Sequence, residues 1–299
     1  MPASLGVAAR LAFGGALPVD QPLEFMSESL RARKTILETA GLRGTRSRPA
    51  ARTRAGTYRV SGNIRCAPAP SELAALLPYV LGGTPQPNTP PGFTTFPLGE
   101  TLPAALYVAV DRVAAVFTYD RCRIVRASFR AAEGSLLELE LEIEGRAEEV
   151  SAAGSFPQLA YTVQPPFVFM DAELTVQGAA RAIKQVEVNI ENLADSDRFL
   201  NDLVREEIPV LDRLVSLRAL LPYTPAETAL YDQPLSAGPA ELVFTNGAHV
   251  LRFRFPGVVQ FPAVSPVVKG RGEILLELSG VARATAAEPE LRIELASAG

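Results

Sequence analysis

Histidine is almost missing from this chain of 299 residues: His249 stands alone, beside two cysteines, three methionines and no tryptophan. One imidazole cannot furnish the multi-histidine sets of common zinc sites. Cys66 and Cys122 have no close spacing, which argues against a metal knuckle or a redox pair. Reduced thiols in the core are the expectation, with a single disulfide as the alternative. No uninterrupted apolar run approaches the roughly 18 residues that cross a bilayer. The opening MPASLGVAARLAFGGALP breaks its short apolar patch at Arg10 and Gly14, so neither a membrane span nor an export signal is expected.

Chemistry is just as sparse. The glycine pairs in AFGGA and VLGGT have neither phosphate-loop nor dinucleotide spacing. VSGN, around Ser61, lacks the flanking glycines of a nucleophile elbow. Asp195 and Asp197 lack the glycine and the distal glutamate of a calcium loop. His249 sits in an alternating stretch, where a structural role is the simpler reading. No catalytic, metal or cofactor set assembles, so an enzyme is not expected. A net charge of −4 and a pI near 5.3 also rule out wholesale attraction to phosphate and leave room only for local contacts.

What is present points to β structure. The 47% hydrophobic content marks a globular chain, and 25 prolines with 22 glycines suit many short elements joined by turns. In SLLELELEIEGRAEE, residues 135–149, Leu137, Leu139, Leu141 and Ile143 alternate with Glu138, Glu140, Glu142 and Glu144. A helix would scatter these leucines around its circumference. A strand gives one apolar and one acidic face, so periodicity outweighs the helical propensity of Leu and Glu. Residues 106–131, with a turn at Asp120-Arg121, and 166–176, 184–193, 249–261 and 272–282 read as further strands. Only two stretches look helical: 70–83, with Ser71 as candidate N-cap and Gly82-Gly83 as a stop, and 225–233.

The two halves echo each other. Each has an extended segment, a charged loop, a long strand, a Pro-x-Glu helix start, and strands ending in L-E-[IL] before Gly145 or Gly280. The predicted organisation is an arm over 1–22 followed by repeats over 23–155 and 156–299, with the boundary near 151–163. The matching loops differ in sign. Residues 40–59 carry Arg43, Arg46, Arg48, Arg52, Arg54 and Arg59 with no acid. Residues 194–207 carry Asp195, Asp197, Asp202, Glu206 and Glu207 against Arg198 and Arg205. Complementary loops of this kind are expected to set registry between subunits, with solvated loops as the alternative.

The order of motifs resembles the tail tube proteins of long-tailed phages. Ser27-Glu28-Ser29-Leu30 matches a SESL-type strand, Leu42-Arg43-Gly44-Thr45-Arg46-Ser47 an LRGxRS loop, and Tyr58, Val60, Ser61 and Gly62 a GYxVSGxI run. PFVFMDAELTV and VEVNIENLADSDRFL, with Asn192 near a strand end, fit the same family. The resemblance implies two tandem β-sandwich or barrel domains, each with a short flanking helix and a long hairpin loop. It also implies trimeric, pseudo-hexameric rings that stack into a conduit for genome ejection. Implied partners are further copies of the chain and the tape-measure, tail-tip and tail-terminator proteins, with DNA as transient cargo. The implied setting is a virion tail without a sheath, assembled in the host cytoplasm. A different ring-forming component of a tail or injection machine is the alternative. On this reading Glu138, Glu140, Glu142 and Glu144 line the channel as a weakly repelling acidic wall.

Overall fold

A computed structural model describes residues 5–42, 44–103, 106–231, 236–262, 265–268 and 270–296. The first half runs β1 (Arg10–Gly14), β2 (Gln21–Pro22), β3 (Ser27–Glu28), β4 (Arg31–Glu38), β5 (Thr53–Cys66), α1 (Pro70–Leu81), β6 (Thr94–Pro97), β7 (Tyr107–Asp111), β8 (Ala115–Asp120), β9 (Arg123–Ala132), β10 (Glu138–Gly145) and β11 (Ala147–Ala152). The second runs β12 (Ala172–Val176), β13 (Ala179–Arg181), β14 (Gln185–Ala194), β15 (Val210–Pro222), α2 (Pro225–Tyr231), β16 (Ser236–Asn246), β17 (His249–Phe261), β18 (Leu275–Arg283) and β19 (Arg292–Ala296). The protein is mainly β, as its alternating patterns predict.

Two sheets form. The larger has 14 strands, and its central run is β4-β5-β10-β9-β14-β15-β18-β17. The smaller, β11-β8-β7-β1-β2, is antiparallel. The apolar face of β10, Leu139, Leu141 and Ile143, packs into the same core as Leu11, Phe13, Val108 and Tyr119 of the smaller sheet. Residues 10–22 are therefore no free arm: Leu11, Ala12 and Phe13 are buried in β1 because their apolar side chains close this layer. In the second half the outer layer is the large sheet itself. β17 pairs with β16 along one edge from His249 to Phe261; on the other edge it pairs first with β19 and then with β18 at Val258–Gln260. Gly257 sits at that change of partners, where a Cβ would lie 2.3 Å from the Arg283 carbonyl oxygen, so a side chain would not fit.

The pairing scheme occurs twice. β5 lies between β4 and β10, and β15 lies between β14 and β18. Each central strand leads into a helix that starts with proline. One core nonetheless crosses from half to half, with Phe129 of β9 stacked edge-on against Phe253 of β17 at 5.0 Å.

Helix α1 buries Leu73, Leu76, Leu77 and Val80, one stripe at helical spacing. Its N-cap is Ala69 and not Ser71, because Pro70, with its fixed φ, opens the helix as N1. Alanine cannot cap, so Glu72 does the work: its carboxylate accepts from the backbone N–H of Ala69 (2.8 Å) and of Glu24 (2.9 Å). Burial still pushes the Glu72 carboxyl above 4.5, against those two hydrogen bonds. Cys66 and Cys122 are free, buried thiols, and burial raises both.

Candidate functional site

The polar face of the large sheet is the most heavily charged surface that the fold organises. Cross-strand register gathers its side chains into rows. One row reads Glu138, Arg130, Glu187, Arg218 and Ser279 across β10, β9, β14, β15 and β18. The next reads Arg65, Glu140, Ser128, Asn189 and Ser216, and a third Asn63, Glu142, Arg126 and Glu191. Directly opposed residues in antiparallel strands have Cβ atoms about 5 Å apart, so these are contact pairs.

Sequence alternation therefore places Glu138, Glu140, Glu142 and Glu144 on one polar face, as expected. It does not make that face an acidic wall. The Arg65 Nε donates to Glu138 at 3.1 Å, the Arg126 guanidinium lies 3.3 Å from Glu191, and the Arg218 Nε donates to Glu277 at 2.8 Å. The Asn63 amide donates to Glu140 at 2.7 Å. Hydrogen bonds from Arg65 to Glu138 and from Arg218 to Glu277 hold both guanidiniums more firmly protonated. The residues missed from the sequence are Arg65, Arg126, Arg130, Arg218, Glu187 and Glu191. Period-two reading of RIVRASFRA and KQVEVNIENL puts Arg126, Arg130, Glu187 and Glu191 on strand faces, but not opposite one another.

The two charged loops differ in more than sign. Segment 195–209 folds back in the same chain over the ends of β5 and β10. The Tyr58 N–H donates to the Leu203 carbonyl at 2.7 Å, Asp197 pairs with Arg59, and the Arg59 guanidinium lies over the Phe199 ring at 5.3 Å. Arg205 is completely buried beneath it. Its guanidinium donates to the carbonyls of Gly145 (2.8 and 3.1 Å), Val60 (2.7 Å) and Ser196 (2.8 Å), and it pairs with Glu144. Asp202 accepts from the Leu203 and Val204 N–H groups, Asp195 accepts from the Asp197 N–H, and Glu207 lies 3.5 Å from Arg198. Glu206 is exposed. Most of the acidic loop is thus engaged within the chain.

Segment 39–52 projects instead. Arg46, Arg48, Arg52 and Arg54 are exposed, and Arg48 alone of these has an ion-pair partner among the described residues, Glu38 at the loop's base. Arg43 lies outside the described residues. β4, which carries this loop, exposes Ile36 and Leu37 and pairs only with β5 among the described residues. Glu100 of the first half and Asp212, Arg213 and Glu290 of the second line an open groove beside Leu211. No group of three or more metal-ligating side chains occurs among the described residues, and no described helix is long and apolar enough to cross a membrane.

These features define a structural class: a β-sheet protein with a broad polar face, an open strand edge and a projecting charged loop. A family model described as phage tail tube protein matches residues 3–282. The chain belongs to that family and is a structural component of a phage tail, in a family that is not normally enzymatic. No curated protein matches it.

Proposed function

We propose that three copies of this protein close into a ring of six half-chains, and that the rings stack into the tube through which the phage genome leaves the particle. The observation that carries this is the unequal surroundings of two matching strands. β14 has β15 on one side and β9 on the other. β4, in the matching place beside β5, has no second neighbour among the described residues. In the repeat the counterpart of β9 is the segment that follows β17, in which Val267 bridges Leu275 of β18; the end of β17 itself already lies between β16 and β18. Supplied by another copy, that segment gives β4 the ladder that β14 already has and removes an exposed edge. Each half then joins the next in the same manner, the condition for closure.

On this reading residues 23–155 and 156–299 are two tube domains, and the polar face of the large sheet turns to the channel. The arginine loop, including Arg43, Arg46, Arg48, Arg52 and Arg54, takes on the neighbour's second half the place that Asp195, Asp197, Asp202, Glu206 and Glu207 take with their loop on the first. Partners are further copies of the chain, with tape-measure, tail-tip and terminator proteins at the tube's contents and ends. Assembly takes place in the host cytoplasm.

The Ala32 N–H points off the edge of β4, toward the Glu148 carboxylate, so the N–H of Lys34, two residues on, points the same way. Lys34→Pro removes it from the edge without touching the β5 ladder. Electron microscopy should show rings or tubes for the wild type and separate subunits with an unchanged circular dichroism spectrum for the variant. Tubes formed as readily by Lys34→Pro would refute the edge-pairing scheme.

A further inference from the structure

We propose that the polar face of the large sheet is a surface able to bind the phosphates of double-stranded DNA, kept silent by its own carboxylates. Four arginines could reach a passing backbone, and each is held by glutamates. Arg130 stands between Glu138 and Glu187 in its row, and Arg126 between Glu142 and Glu191. Arg65 is bonded to Glu138, and Arg218 to Glu277.

The arrangement matters more than the total. Neighbouring strands are about 4.8 Å apart, so charge changes sign at every strand along the Glu138–Arg218 row. The field of such a row dies away within a few ångströms, well inside the ~8 Å screening length of physiological salt. The affinity of arginine for DNA comes largely from releasing counterions condensed on the phosphates. An arginine with glutamates on both sides brings those carboxylates against the same phosphate, so the gain is cancelled where it would arise. A uniformly acidic wall would need no arginines. This face carries them and neutralises them one by one.

The inference rests on the tube reading only for why DNA ever meets this face; the charge masking itself is a property of the single subunit and is tested there. The first variant replaces Glu138, Glu142, Glu187 and Glu191 with glutamine, which keeps shape and hydrogen-bonding oxygen while freeing Arg126 and Arg130. A control with the same change in net charge replaces Asp20 with asparagine and Glu24, Glu149 and Glu173 with glutamine. All four are exposed, lie off these rows and have no ion-pair partner among the described residues. The probe is a short blunt DNA duplex in a gel-shift assay.

At physiological salt neither the wild type nor the control should shift the duplex, whereas the face variant should. With about two phosphate contacts, from the freed Arg126 and Arg130, its affinity should fall roughly tenfold between about 50 and 200 mM salt. Adding Arg65→Gln, Arg126→Gln, Arg130→Gln and Arg218→Gln should abolish the shift. A folded face variant that leaves DNA unshifted, or a control that binds equally well, overturns the proposal. If the fourfold variant does not fold, the pair Glu138→Gln and Glu187→Gln around Arg130 asks the same question, with a smaller salt dependence expected and no shift counting against it. Whether the wild type forms tubes is scored separately by microscopy and bears on the tube reading alone.

Discussion

Arg205→Met is the sharpest test of how the two halves are joined. Arg205 has no exposed surface and its guanidinium satisfies the carbonyls of Gly145, Val60 and Ser196 together with the Glu144 carboxylate. Methionine fills much of the volume but donates nothing, so the two carbonyls on the β5 and β10 ends lose a buried partner and Glu144 loses its counter-charge. Breaking a buried pair by removing one side costs about 3–5 kcal/mol, and the carbonyl bonds to a charged donor fall in the same range when summed with their desolvation. Scaling the usual unfolding entropy to a chain of this length gives somewhat under 2 °C per kcal/mol, so Tm should drop by about 5–8 °C. The loss should also be local. Segment 195–209 should become protease-sensitive, and its amides should exchange faster, before the sheet unfolds. Arg205→Lys should recover little, because a point charge cannot serve carbonyls spread around a planar fork. A Tm within 2 °C of wild type, which is roughly 1 kcal/mol on the same scale, with the loop still protected, would show that the loop is held by its other contacts.

Reversing the arginine loop with Arg46→Glu and Arg52→Glu should raise the protein concentration needed for tube formation about tenfold, since exposed pairs are worth at most ~1 kcal/mol each. Light scattering against concentration measures this, and wild-type assembly should itself weaken as salt rises; indifference to both would remove the loop from the interface. For Glu72 the sign follows from its raised folded pKa. Its carboxyl is protonated in both states below the unfolded value near 4.5, and the stability it contributes there is lost as pH rises through the higher folded value. The Tm difference between wild type and Glu72→Gln should therefore shift against the wild type across the weakly acidic range and then level off. A flat difference would mean that Glu72 is not raised.

The strands of the large sheet are legible because their side chains alternate: Leu139, Leu141 and Ile143 against Glu138, Glu140 and Glu142 need no knowledge of neighbours. The loops follow from the acid-free arginine run at 40–59, whose last residues (53–59) belong to β5, and from the mainly acidic stretch at 194–207. The N-cap of α1 lies two residues before the expected Ser71: Ser71 is the better capping side chain, but the proline between it and Ala69 and the reach of Glu72 decide the matter. Charge balance on the polar face was illegible for a different reason. Arg130 meets Glu138 through the turn between β9 and β10, but it meets Glu187 only through a pairing between halves that no local pattern encodes. Arg205 was hidden in the same way. In sequence it is one arginine among acids; only the fold-back of its loop turns it into a buried clamp.

The opposite sign of the two loops now has a physical origin. The second-half loop lands on a surface within its own chain that carries Arg59, and Asp197 answers it. On the proposed ring the arginine loop lands on a neighbour near the start of β15, where an open groove presents Asp212 and Glu290 with Glu100 of the first half, and Arg213 is turned to the Gly99 carbonyl at 2.8 Å and to Glu290 at 3.7 Å. A loop that lands there from another copy needs positive charge, and segment 39–52 carries it without a single acid. Two loops of the same sign would fit either landing surface. Divergence in sign makes each loop unfavourable on the other's site, because like charges repel there. On the proposed ring this confines the acidic loop to its own chain and the arginine loop to a neighbour, so that halves would alternate in a fixed order and the ring would close in one register only.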